Sequence, residues 1–202
     1  MKMTKGNGKE NEMKKVYIIL THTGTIVSRM IKCYTRHEFS HISISLDEEL
    51  TRMYSFGRLN PYNMFIGGFV NERLDSGTFK RFKKTKAAVY SLLVTDEQYQ
   101  KMEQAVAKIE KEKDKYTFNI LGLIYAAFNK KRDKEYCFYC AEFVKYVLEQ
   151  AEVDLGLPKV IKPENFKDLP ELKLTYKGYL RRYPYRNRKL EDYIVIRKSI
   201  RV

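Results

Sequence analysis

Cysteine is scarce in this chain, with three among 202 residues, and the count is odd. A chain of this size buries enough surface to hold a core without covalent staples, so a disulfide framework is excluded and a reducing compartment is expected. Long hydrophobic runs are also missing. The first fifteen residues, MKMTKGNGKENEMKK, are polar, and the apolar run after them, VYIIL, is shorter than a signal-peptide core or a membrane span. The expectation is a soluble, cytoplasmic protein with no transmembrane segment, with residues 1–14 a disordered basic N-terminus and 15–202 a single domain. No unit of 20 to 50 residues recurs, and no linker rich in Pro, Gly or Ser divides the sequence. Acidic residues are outnumbered: 25 Asp and Glu face 39 Lys and Arg, for a net charge of +14. That balance favours an anionic partner without naming one.

What is present reads as an α+β protein with a mainly antiparallel sheet. Val16 to Leu20 is a short β-rich run, and HISISL (His41 to Leu46) alternates strictly, with Ile42, Ile44 and Leu46 on one face and His41, Ser43 and Ser45 on the other. Asp47 to Glu49 make a polar turn, and LTRMYSFG returns as a second strand to Gly57. Asn60 to Gly77, with Pro61, Gly67 and Gly68, reads as an irregular loop beside a site. Ala87 to Val94 is another strand. Thr95 then caps a charged helix, with Gln98 completing a capping box and Tyr99, Met102, Val106 and Ile109 forming the buried stripe. Further helices are expected over Phe118 to Phe128 and from Cys140, and a closing strand at Tyr193 to Ile196.

Chemistry concentrates in EYCFYCAEFVKYVLEQ, Glu135 to Gln150. Cys137 and Cys140 have C-x2-C spacing, which admits four readings. A thioredoxin-type redox pair opens an early βαβ unit, whereas this pair lies late in the chain with no Gly or Pro between the sulfurs. A zinc site would draw on His37 and His41, but a histidine that opens an alternating strand converges poorly with one four residues before it. Both thiols could be buried filler. The fourth reading is nucleophilic: Cys140 stands where an amphipathic helix begins, and a helix N-terminus offers partial positive charge and unpaired N–H groups. On that reading Cys140 is the nucleophile and Cys137 a packing residue. His41, on a well-marked strand, is the candidate general base, while His37 and His22 read as exposed or structural.

The order of SHISI, MYSFGR, a charged helix, YCAEFVKYVL and KPENFKDLPELKLTYKG resembles the circularly permuted branch of the papain-like, NlpC-type cysteine hydrolases. The YiiX/YaeF-like proteins and the lecithin:retinol acyltransferase relatives belong to that branch. The resemblance spans about residues 14 to 178, and FSHISI and CAEFV are its specific parts. It implies a papain-like sheet or half-barrel packed on the helix that carries the cysteine, with the His strand preceding the Cys helix. It also implies a thiol-dependent hydrolase, an amidase, peptidase or esterase acting by acyl transfer, with no cofactor and no metal. By the resemblance Cys140 matches the nucleophile and His41 the base. Relatives place an acidic residue near the end of the return strand, where this chain has Ser55, so Ser55 is the candidate orienting residue.

The resemblance implies a peptide, amino-acid amide or lipid-type acyl substrate, and the charge makes an anionic lipid or cell-wall polymer a candidate partner. Lys177 to Asp192 interleaves Tyr with Arg and Lys, but no RRM, KH or OB signature accompanies it, so nucleic acid is disfavoured and the tyrosines are expected to pack on the domain. The competing class is a non-catalytic binding protein on the same fold, using its basic surface.

Overall fold

The computed structural model describes residues 12–24, 38–60, 63–128, 130 and 134–187. Residues 1–11, His37 and the expected strand at 193–196 lie outside them. Six strands form one sheet in the order β4-β3-β2-β1-β5-β8, with every neighbouring pair antiparallel. They are β1 (Met13–His22), β2 (His41–Ser45), β3 (Met53–Asn60), β4 (Asn63–Glu72), β5 (Lys86–Thr95) and β8 (Lys173–Tyr179). Two short strands, β6 (Thr117–Phe118) and β7 (Cys137–Phe138), pair in parallel. The helices are α1 (Gly77–Arg81), α2 (Asp96–Lys111), α3 (Ile120–Ala127) and α4 (Cys140–Gln150). The class is therefore α+β with a mainly antiparallel sheet, as the pattern predicts.

β1 is central, and both its faces are covered. Val16, Ile18 and Leu20 join a core with α2 and α4, while Tyr17 and Ile19 join a second core with Phe79 of α1, Leu180 and Tyr183. That is why VYIIL is continuously apolar rather than alternating. The β1–β5 ladder runs without interruption from Met13↔Thr95 to His22↔Lys86. At its end the capping box forms as expected, with Gln98 N–H donating to Thr95 Oγ1 (3.1 Å) and Thr95 N–H to Gln98 Oε1 (3.0 Å).

Three sequence expectations need correcting. The polar face of β2 is not solvated: Ser43 and Ser45 are fully buried, because the second core covers that side of the sheet. Their hydroxyls are satisfied internally, Ser43 by Glu72 and Ser45 by Asp47 and Arg52 O. The segment from Asn60 to Gly77 is not an irregular loop; most of it is strand β4, paired along β3 from Met53↔Glu72 to Asn60↔Asn63. Its glycines mark close approach. A Cβ on Gly67 would stand 2.7 Å from Phe118 Cβ and 2.8 Å from Gly57 O, so only glycine lets β6 and the β3 backbone pass. Finally, part of the basic segment after Leu172 is edge strand β8, paired on β5 from Lys86↔Tyr179 to Ser91↔Lys173. Of the tyrosines expected to pack, Tyr183 is buried between Tyr176 and Tyr185, whereas Tyr179 is 39% exposed.

An aromatic cluster seats the cysteine helix on the sheet. Phe56 of β3 meets Phe143 of α4 and Phe138 of β7 at 5.3 Å between ring centroids, and Phe69 of β4 meets Phe143 at 5.8 Å. These rings hold the start of α4 against the end of the sheet where β2 opens.

Candidate active site

The β2–β3 ladder is short, pairing only Ile44↔Tyr54 and Ser45↔Met53. The pairing stops before His41, and the candidate site lies at that end of β2. His41 begins β2, and its Nε2 lies 2.9 Å from Oε1 of Glu72, the last residue of β4. Ser43 Oγ donates a short hydrogen bond to the other carboxylate oxygen, Oε2. Cys140, the first residue of α4, acts on the same imidazole, its thiol being among the groups that raise the His41 pKa. Glu72 and Cys140 thus both act on His41.

The electrostatics follow from burial and pairing. Glu72 is 9% exposed and His41 20%. Burial alone would discharge the imidazole, but the adjacent Glu72 charge, the hydrogen bond His41 donates to Glu72 and the nearby Cys140 outweigh it, and the His41 pKa is raised to about 10. Burial likewise opposes ionisation of Glu72, yet the His41 charge and hydrogen bonds with His41, Ser43 and Ser55 hold its carboxyl below the usual value of 4.5. The pair is therefore an imidazolium and a carboxylate at neutral pH.

The start of α4 is built with similar care. Glu142 Oε2 accepts from Tyr139 N–H at 3.0 Å and from Asn119 Nδ2 at 3.4 Å, and Tyr139 O–H donates to Ile161 O at 2.9 Å. Glu142 is thus spent on the helix N-terminus. Cys140 is the first residue of α4, and the N–H groups of a helix's first turn precede its internal hydrogen-bond ladder.

Of the residues singled out in sequence, His41 and Cys140 are brought together. Ser55 is not on the imidazole. It is buried one register position from the cluster, contributes to holding Glu72 ionised, and its Oγ makes no hydrogen bond of ordinary geometry. The residue on Nε2 is Glu72, which sequence reasoning missed because it placed residue 72 in a loop. The available signal was the register: an acidic residue two positions past Val70 faces the same side as Ser55 and Met53 once β4 is recognised as a strand. Cys137 lies in β7 with Thr117 Oγ1 3.0 Å from its sulfur. His22 Nδ1 lies 3.4 Å from Ser40 Oγ. His37, invoked for zinc, is outside the described residues, and among these no group of three or more His, Cys, Asp or Glu could hold a metal ion.

Gly57 makes room for the imidazole. A Cβ there would stand 3.3 Å from His41 Cε1 and 3.9 Å from Nε2. Gly57→Ala is expected to push the ring off Glu72 at a stability cost of about 1–2 kcal/mol. In an NMR titration the His41 ring proton should then titrate well below its wild-type midpoint; an unchanged midpoint would show that the ring needs no such clearance.

No protein-family model matches the sequence, and no curated protein matches it. Among solved structures the chain is similar to the metalloprotein yiiX from Escherichia coli O157:H7 (DUF1105), a member of the YiiX/YaeF group, at 16% identity. That similarity covers 82% of this chain and 98% of that one, with a TM-score of 0.45. A score at that level carries neither fold nor chemistry across, so the site stands on its own geometry.

Proposed function

We propose that this chain is a thiol-dependent hydrolase that works by acyl transfer, with Cys140 as nucleophile, His41 as general acid and base, and Glu72 as the residue that orients and charges the imidazole. The observation that supports this reading is the buried His41–Glu72 pair, acted on by the cysteine that opens helix α4. The permuted papain-like order, His strand before Cys helix, is the fold proposed for residues 15–202.

In the mechanism, the Cys140 thiolate, paired with the His41 imidazolium, adds to the substrate carbonyl and forms a C–S bond. The oxyanion lies against backbone N–H groups at the start of α4. Collapse breaks the bond to the leaving group, which takes the proton from His41. His41, now neutral, removes a proton from water, and hydroxide attack on the thioester releases the acid and restores the thiolate. Throughout, Glu72 stays ionised and Ser43 stays hydrogen-bonded to it, so the imidazole cycles through its two charge states without turning.

The competing reading, a non-catalytic binding protein, drew on the lack of an acidic partner for His41, and Glu72 supplies one. The acyl group is an amide, ester or thioester of a peptide, amino-acid conjugate or lipid. The experiment is turnover of a panel of such substrates by wild type and by Cys140→Ala, and loss of turnover in the variant is the result expected.

A further inference from the structure

α3 presents an apolar face to water. Leu121, Ile124, Tyr125 and Phe128 recur at i, i+3, i+4 and i+7 and are 44–56% exposed, while Gly122 and Ala126 point inward. This reverses the usual arrangement of a surface helix, where that stripe would be buried. Tyr136, also exposed, lies on the next described segment. Lys130 and Lys134, described residues that follow α3, are both exposed cations.

We propose that this face is a docking surface for an anionic lipid bilayer, with the α3 side chains entering the headgroup boundary and the adjoining cations meeting lipid phosphate. Charge selects this occupant. A second copy of a chain carrying +14 would be repelled, and the outer face of an eight-residue helix is far smaller than the roughly 800 Å² per partner of a stable protein interface. An anionic membrane attracts the same charge, and short apolar insertion combined with neighbouring Lys and Arg is how peripheral proteins hold such surfaces. No helix among the described residues is long and apolar enough to cross a membrane, so the contact is interfacial.

The face is rigidly linked to the candidate active site. Asn119 caps α3, its Oδ1 accepting from Gly122 N–H at 2.8 Å, and its Nδ2 donates to Glu142, the carboxylate that holds the start of the cysteine helix. A docked α3 is therefore joined through Asn119 to the start of the cysteine helix.

The test is co-sedimentation of the full chain with vesicles of phosphatidylcholine containing about one-third phosphatidylglycerol, at physiological salt. Wild type should bind, and Leu121→Ser with Ile124→Ser should weaken binding by about tenfold or more. A second measurement guards against a fold defect. The chain has no tryptophan, so Ile124→Trp supplies a lone indole whose emission should shift to the blue on adding vesicles and be quenched by brominated acyl chains. No binding by wild type, equal binding by the double variant, or an indole that stays in water would overturn the proposal. So would a wild-type dimer in solution that the double variant converts to monomer, which would assign the face to a second copy. The readout is binding rather than turnover, so it stands apart from the chemistry at Cys140.

Discussion

Replacing Cys140 by Ala should lower kcat/KM on any accepted acyl substrate by a factor on the order of 10⁴ to 10⁶, the range seen when the nucleophile of a hydrolytic site is removed. The fold should survive. Cys140 is 2% exposed and packs among Ala141, Phe143 and Val144, so losing one sulfur leaves a cavity about the size of a methyl group and costs about 1 kcal/mol. Cys140→Ser sharpens the test. A hydroxyl nearly keeps the volume but does not ionise at neutral pH, so it should be nearly as inactive. A Ser variant that retains wild-type turnover would place the chemistry elsewhere.

Glu72→Gln should lower turnover by about 10² to 10⁴ and change how stability depends on pH. The amide can still meet His41, but it cannot stabilise a cation. In wild type the folded His41 binds its proton more tightly than the unfolded residue, whose value is 6.5, so its contribution is complete below pH 6.5 and is lost as pH rises toward about 10. Glu72 is shifted the other way. Its contribution is complete above its ordinary value of 4.5 and is lost as pH falls below it. The pair therefore stabilises most between about pH 4.5 and 6.5. Denaturant unfolding across pH should show wild type losing stability from pH 6.5 to 10, and Glu72→Gln losing much less over that span. In the middle window the variant should be less stable by about 3 kcal/mol, because it leaves a buried imidazole without its counter-charge.

Most strands and helices were legible because they repeat a period: the alternation of HISISL, the capping box at Thr95 and Gln98, and the stripe that begins at Cys140 all formed where the sequence put them. Cys140 and His41 could be singled out for the same reason, since one opens a helix and the other opens a strand. What escaped was information carried by tertiary contacts. Gly67 and Gly68 look like loop residues until β6 is seen packed over them, and misreading them hid β4 and with it Glu72. Ser43 and Ser45 look solvated until a second core covers their face. β8 was obscured because its side chains are largely exposed on an edge strand, so its burial pattern carries no alternation strong enough to stand out from a basic tail.

The central claim is that Glu72, His41 and the α4 N-terminus together make one cysteine reactive, and alkylation by iodoacetamide near neutral pH, read peptide by peptide, tests it most directly. Cys140 should be modified at least about tenfold faster than Cys33 or Cys137, and Glu72→Gln should remove most of that advantage. Equal, slow modification of all three cysteines, or a Cys140 rate indifferent to Glu72→Gln, would contradict the account.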